Sequence, residues 1–302
     1  MTRQVILFAG ASGDLGGRIT TAVLARGGSV RALVRPGSRP EAQDRLRSHG
    51  AEVVTADLSD SAAVEAACAG AACVVSALSG LREVILDRQT TLLDAAVQTG
   101  VPRFISSDYA ADFTRTEPGH NRNFDLRREF MGRADRAPIR VTSILIGAFL
   151  DMLGREMPLI RPRVHRILYW GQRDQPLDFT SRRDTAAYTA AAALDATTPR
   201  ILRIGGATVS AVDIARAATS VSGHRYRTLR AGSVRSLGWL ARVAQLVAPE
   251  RPDPVFPAWQ GMQYMVDMFS GTVRLQPLDN QRYPDLSWTS VHDHLADERV
   301  RV

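Results

Sequence analysis

The chain has 302 residues, 45% of them apolar and 23% charged, with 23 glycines and 15 prolines. These values exclude a disordered, collagen-like or low-complexity chain, and the length predicts one large domain or two interleaved ones, burying about three quarters of the unfolded surface without disulfide staples. The net charge is +7 and every basic residue is arginine, which excludes a lysine Schiff base, a phosphate-loop lysine and a Tyr-x-x-x-Lys pair.

The arginines are scattered, with no stretch that interleaves them with aromatics, so a solvated surface is expected rather than a nucleic-acid partner. Cys68 and Cys73 have neither metal-ligand nor redox spacing and read as small buried thiols of a reduced, cytoplasmic protein. The apolar opening run is too short for a signal peptide, and no run of 18 apolar residues exists, so no membrane partner is expected.

In chain order, apolar β-like runs fall at 5–8, 30–34, 53–55, 73–76, 104–106 and 141–145. Helical patterns lie between them near 14–26, 40–48, 61–69, 83–99 and 124–133. Strands alternating with helices of this length predict right-handed βαβ units, and continuous apolar strands predict a parallel sheet buried on both faces. After residue 147 the rhythm changes. Pro158 and Pro162 interrupt the chain, one or two short strands fit 167–181, and an Ala-rich helix fits 182–195. A strand at 201–204 follows, then helices near 210–221, 231–247 and 258–270, with a loop over 250–257. The expected fold class is α/β: a doubly wound parallel-sheet domain over residues 1–150, with 176–205 returning to it, and a smaller, mixed C-terminal substrate-binding region over 151–302.

Directly after the first strand stand Gly10, Ser12, Gly13, Asp14, Leu15 and Gly16, a Gly-x-x-Gly-x-x-Gly turn. One glycine permits a tight turn, one lets the backbone approach a pyrophosphate, and one lets the helix pack close to the strand. The following helix aims free N–H groups and its positive dipole end at phosphate, with the Ser12 hydroxyl as a further donor. Strand, turn and helix in this order give the motif a Rossmann context. Enzymes that prefer NAD place an acid at the end of the second strand to hold the ribose 2′-hydroxyl. Here that slot holds Arg35, followed by Arg39, and a guanidinium pairs with a 2′-phosphate instead. The cofactor expected is therefore NADP(H). Asp57 and Leu58 are placed for the adenine, and Ala77 for the cofactor channel, because ligands bind at the carboxyl ends of strands.

Together these residues resemble the NmrA-like and isoflavone-reductase-like group of atypical short-chain dehydrogenases. The resemblance runs through Val34-Arg35-Pro36, Ala56-Asp57-Leu58, the segment from Val101 to Tyr109, Arg127-Arg128-Glu129-Phe130, and Leu177-Asp178-Phe179-Thr180 with Asp184-Thr185-Ala186. It covers about residues 4–205. It implies an NADP-binding Rossmann domain with a small C-terminal substrate domain, in a family of reductases of aromatic or carbonyl substrates, quinone reductases and cofactor-sensing regulators. Reductases of the isoflavone type carry a lysine four residues before the paired arginines; here that slot is Asn123. An amide hydrogen-bonds a ribose or substrate oxygen but donates no proton at neutral pH, so the lysine-centred mechanism does not carry over.

Proton chemistry must then come from elsewhere. Tyr109 is a candidate donor and Ser107 a candidate oxyanion holder, both at the carboxyl end of the fifth strand. His120, in the loop before the next helix, is a further candidate, since imidazole titrates near neutrality. Ser107 and Asn123 are also candidate cofactor contacts. No metal site is expected; His292 and His294 read as surface residues. Trp259, Met262, Tyr264, Met265 and Met268 recur near helical spacing and read first as core, with a pocket wall as the alternative. The sequence thus predicts an NADPH-dependent reductase of a small carbonyl, quinone or conjugated apolar or aromatic substrate, monomeric or homodimeric. The alternative is an NADP(H)-binding redox sensor with little or no catalysis.

Overall fold

The computed structural model describes residues 4–154, 156–247 and 255–297, so the loop expected over 250–257 lies largely outside them. The first half runs β1 (Val5–Ala9), α1 (Asp14–Ala25), β2 (Ser29–Val34), α2 (Pro40–Ser48), β3 (Glu52–Thr55), α3 (Ser61–Cys68), β4 (Cys73–Ser76), α4 (Gln89–Gln98), β5 (Arg103–Ser106), α5 (Arg122–Ala134) and β6 (Arg140–Leu145). Each predicted element is present, but the turn Glu83–Arg88 before α4 is wound as a wider π-helix. The second half runs β7 (Ala148–Phe149), β8 (Ile160–Arg161), β9 (Arg166–Trp170), β10 (Leu177–Thr180), α6 (Arg182–Leu194), β11 (Ile201–Arg203), β12 (Ala207–Val209), α7 (Ala211–Ser222), β13 (Arg227–Gly232), α8 (Val234–Val247), α9 (Ala258–Ser270) and α10 (Val291–Asp297).

Seven strands form one parallel sheet in the order β11-β6-β5-β4-β1-β2-β3. Side chains alternate across it, which explains the unbroken apolar runs. Ile6, Phe8, Cys73, Val75 and Ile105 face one core with Ile19 and Val23 of α1 and Tyr188 of α6. Leu7, Ala9, Val74 and Phe104 face the other, with Val64, Leu92 and Phe130 of α3, α4 and α5. Each fully buried Ile, Leu or Phe contributes about 1.5–3 kcal/mol. Cys68 and Cys73 are free, buried thiols. Burial pushes their thiols up, to about 12 for Cys68 and about 11 for Cys73.

Two later elements join this sheet: α6 packs along α1, and β11 pairs with β6, whereas β10 pairs with β12 and β7 in another layer. Buried Arg103, at the start of β5, ties α6 down. Its guanidinium donates to the carbonyls of Ala192 (3.1 Å), Ala193 (2.6 Å) and Asp195 (2.6 Å), meeting the negative end of the helix.

Two three-stranded layers, β12-β10-β7 and β13-β9-β8, build the remainder over a third core. That core also takes Phe113 and Phe124 from the first half of the chain. Met265 and Met268 of α9 are buried there, as the core reading of that helix expects, with Met262 and Tyr264 packed against it; Trp259 is also buried but lies outside this core, under the Arg122 guanidinium. The sequence reading did not foresee β7, β8, β12, β13 or α10. β13 is an exposed, arginine-bearing edge strand without apolar alternation, so neither periodicity nor burial marks it. The surface reading of the two C-terminal histidines holds for His292 but not for His294, which is 6% exposed on the inner side of α10. Among the described residues, no helix is long and apolar enough to cross a membrane.

Candidate active site

From β1 the chain winds through α1 to β2 and β3 on one side, then returns through α3 to β4 on the other. The strand order therefore reverses between β1 and β4, and a crevice opens there at the carboxyl edge. The glycine turn occupies this point. Gly10 has φ +89°, and a Cβ built on it lies 2.6 Å from the Ala77 carbonyl oxygen of the chain leaving β4. At Gly16 a Cβ lies 2.1 Å from the Gly10 carbonyl oxygen, so only glycine lets α1 start this close to the turn. The Gly13 amide donates to the Gly10 carbonyl at 3.1 Å, which closes the turn.

Asp60, Asn121, Ser181 and Ser210 cap α3, α5, α6 and α7 with side-chain acceptors. α1 opens on Gly13, and, as in α2, α4 and α9, no side chain caps its first turn; of these four, α1 alone follows the glycine turn at the switch point. Its orphan amides, over a turn where a Cβ at Gly10 or Gly16 collides with backbone, suit an anionic group brought close to the backbone. Ser12 and Asp14 are exposed beside it, and Leu15 is half-buried. Arg35, one residue past β2, is exposed, and its side chain meets no carboxylate among the described residues. Asp57 is exposed past β3; hydrogen bonds from Ser59, chiefly its backbone N–H at 2.9 Å, hold its carboxyl below the usual range. Leu58 and Ala77 are half-buried. Arg35, the glycine turn, Ala77 and Ser107 thus stand in a row at the ends of β2, β1, β4 and β5.

The proton-transfer candidates separate. The Ser107 hydroxyl donates to the Leu78 carbonyl at 2.6 Å, and the Ser107 amide donates to Gln89 at 2.9 Å. Its hydroxyl proton is already committed, and the residue acts as a clamp between the ends of β5 and β4. Tyr109 packs into the core that lies against α1 and α6, with its hydroxyl shut off from solvent and burial pushing the phenol upward. This corrects the sequence reading of Tyr109 as a proton donor: a residue that follows a strand end can turn under the sheet as readily as over it. Asp108, wholly buried, accepts from the hydroxyls of Ser106 and Ser143.

His120 stays partly exposed, its Nε2 2.8 Å from Oδ1 of Asp267 on α9. Asn121 donates to the other Asp267 oxygen at 3.0 Å, and Gln260 donates to Asn121 at 2.7 Å. Burial pushes the Asp267 carboxyl up, against the opposing pull of Asn121 and His120. Asn123, 1% exposed, donates to the Val255 carbonyl at 3.0 Å, which ties α5 to the segment before α9. A groove beside this cluster is lined by Arg82, Gly119, Arg122, Leu126, Gln245 and Gln263.

Two participants escaped the sequence reading. Asp267 is an acid within the apolar helix that was read as core, and an acid in such a run is the signal that could have found it. Arg182, at the start of α6, lies 3.5 Å from Asp14 and over the Phe149 ring at 5.2 Å. The first turns of α1 and α6 are therefore neighbours, which no local pattern reveals.

A doubly wound parallel sheet with a glycine-lined helix start at its switch point defines a dinucleotide-binding fold of Rossmann type. The chain belongs to the NmrA-like family, whose model matches residues 2–233. Pinoresinol reductase 2 of Arabidopsis thaliana is 30% identical over 199 residues, 61% of this chain and 63% of that protein. A bifunctional pinoresinol-lariciresinol reductase of Linum usitatissimum is 28% identical over 203 residues, 63% of this chain and 64% of its own. The chain thus spans just under two thirds of these relatives. Among solved structures, AtPrR2 with NADP+ and (+)-pinoresinol superposes with a TM-score of 0.83 at 21% identity, over 98% of this chain and 99% of that one. The leucoanthocyanidin reductase–NADPH complex from Vitis vinifera gives 0.81 at 20% identity, over 99% and 100%.

Proposed function

We propose that the chain is an NADPH-dependent reductase acting on a small carbonyl, quinone or conjugated apolar or aromatic substrate. One observation carries the reading: a helix start with no side-chain cap, held against a turn that admits no Cβ at Gly10 or Gly16, beside an exposed Arg35 that meets no carboxylate among the described residues. These residues fit a pyridine dinucleotide phosphate. The amides at Asp14–Gly16 and the Ser12 hydroxyl would hold the pyrophosphate, and Arg35 the 2′-phosphate. Ala77, Asp57 and Leu58 would line the rest of the path. When bound, NADPH supplies the hydride.

The chain's own task is to orient a substrate and protonate the oxygen on which negative charge develops. His120 is the donor this reading favours, since Asp267 holds its ring by Nε2 and no lysine exists to replace it. Asn123 keeps its α5 turn against the Val255 carbonyl and shapes the neighbouring wall. The relatives named above as reductases of pinoresinol support an aromatic substrate class.

The redox-sensor reading is favoured by Asn123 standing where the resemblance calls for lysine. A single experiment separates the two. NADPH affinity is measured by calorimetry, and NADPH oxidation is followed against a panel of quinones and aromatic ketones. Binding with turnover supports the reductase. Tight binding without turnover of any panel member replaces it with the sensor, and no binding of either pyridine nucleotide defeats both.

A further inference from the structure

Between Asp213 and Glu250 the sequence holds six arginines and no acidic residue. Arg216 pairs with Asp213 at 3.3 Å, but Arg225, Arg227, Arg230, Arg235 and Arg242 are exposed and meet no carboxylate among the described residues. The same stretch carries α8, which is apolar on two faces. Its inner face buries Leu237 and Ala241. Its outer face exposes Trp239 (64%), Leu246 (85%) and Val247 (72%), together with Leu240. Positions 235, 239, 242 and 246 recur at helical spacing and form one outward stripe that alternates guanidinium and apolar side chains. Phe256 is 58% exposed just ahead of α9, the helix that packs against α8.

We propose that this face adsorbs to an anionic lipid surface. Exposed tryptophan and aliphatic side chains interspersed with unpaired arginines match both layers of such a surface: the apolar groups enter the acyl boundary while the guanidinium groups remain with lipid phosphates. Other occupants match only half of it. A second copy in a twofold contact would set the unpaired arginines against their own like. A nucleic-acid duplex would take the arginines and leave Trp239, Leu246 and Val247 without apolar partners. No described helix is long and apolar enough to cross a bilayer, so α8 lies on the surface. This departs from the expectation of no membrane partner, which rested on spans and signal sequences alone. It is also independent of the cofactor reading, and it would bring the chain to where apolar substrates partition.

The test is co-sedimentation of the full chain with vesicles of phosphatidylcholine alone and of phosphatidylcholine with phosphatidylglycerol. Binding is expected to the anionic vesicles only, and to weaken with salt. Arg235→Gln with Arg242→Gln lowers the partition coefficient about fivefold per arginine. Trp239→Gln with Leu246→Gln lowers it roughly a hundredfold or more. Both pairs keep the wild-type melting temperature, because the replaced side chains are exposed. The proposal is overturned if neither vesicle type sediments the protein, or if both folded variants still bind. It is equally overturned if vesicles are ignored while light scattering shows a dimer that Leu246→Gln dissolves, or while a DNA duplex binds and Arg235→Gln releases it.

Discussion

Replacing Gly16 by alanine tests the cradle at its tightest point. The added Cβ would lie 2.1 Å from the Gly10 carbonyl oxygen and 2.9 Å from the Ala11 Cα, both backbone atoms that no rotamer change can move. Restoring van der Waals contact requires the start of α1 to withdraw by roughly 1 Å or more. A phosphate oxygen at about 2.9 Å from an amide then falls outside hydrogen-bond range. Losing two charge-assisted bonds of about 1.5–3 kcal/mol each weakens NADPH roughly a hundredfold to ten-thousandfold. The overpacking itself costs about 1–3 kcal/mol of stability, which a domain of this size survives. The matched control is Gly17→Ala. There the Cβ meets only the Ala11 carbonyl oxygen at an ordinary 3.7 Å, and alanine in a helix gains about 0.5–1 kcal/mol over glycine. NADPH titration by calorimetry and thermal melting are run on both. A folded Gly16→Ala protein whose NADPH affinity stays within about threefold of wild type would refute the assignment of this turn to the pyrophosphate.

Four further outcomes are expected. Arg35→Ala, which removes an exposed side chain that meets no carboxylate among the described residues, leaves melting unchanged but lowers the ratio of NADPH to NADH affinity roughly tenfold to a hundredfold; an unchanged ratio separates Arg35 from the 2′-phosphate. Tyr109→Phe deletes a hydroxyl buried beside Thr189 and shut off from solvent, so turnover stays near wild type while His120→Ala reduces it; the reverse pattern in steady-state assays removes His120 from the mechanism. Burial raises the Asp195 carboxyl, but bonds from the Thr197 amide and hydroxyl, Tyr283 and Arg282 outweigh it and hold the group well below its ordinary 3.8. Its stabilisation is therefore present above the ordinary value and lost as pH falls through the folded one, so Asp195→Asn should flatten the fall in urea-melt stability below about pH 4. Thiol titration of the folded chain should find neither Cys68 nor Cys73 reactive until denaturant is added, because burial raises both thiols and seals them from reagent.

The parallel sheet was legible because its strands are buried on both faces, leaving apolar runs that alternate with amphipathic helices. The turn from Gly10 to Gly16 was legible because its chemistry is local: a glycine is required wherever a Cβ meets backbone. Arg35 was placed by counting along the chain, since strand and helix lengths fix that position. The proton-transfer residues were not legible in the same way. Tyr109 and Ser107 follow a strand end, and the sequence does not say whether a side chain there turns toward the crevice or back into packing. The link from His120 to Asp267 joins residues far apart in sequence, through an acid in a helix whose other members report only burial. The edge strand β13 went unseen for a related reason: Arg227, Leu229, Arg230 and Ala231 are all exposed, so no apolar alternation separates the strand from a loop.

The position of β11 in the large sheet has a consequence for how the protein is made. Ile201–Arg203 forms the last strand, and α6 just before it completes the flank of α1. During synthesis, the amino-terminal half leaves the ribosome with β6 as an open edge and one helical flank uncovered, and it stays so until some two hundred residues have emerged. Completion of the nucleotide cradle's scaffold is therefore tied to translation of the second half. A nascent chain stalled before residue 200 should bind chaperones that release it once β11 has docked.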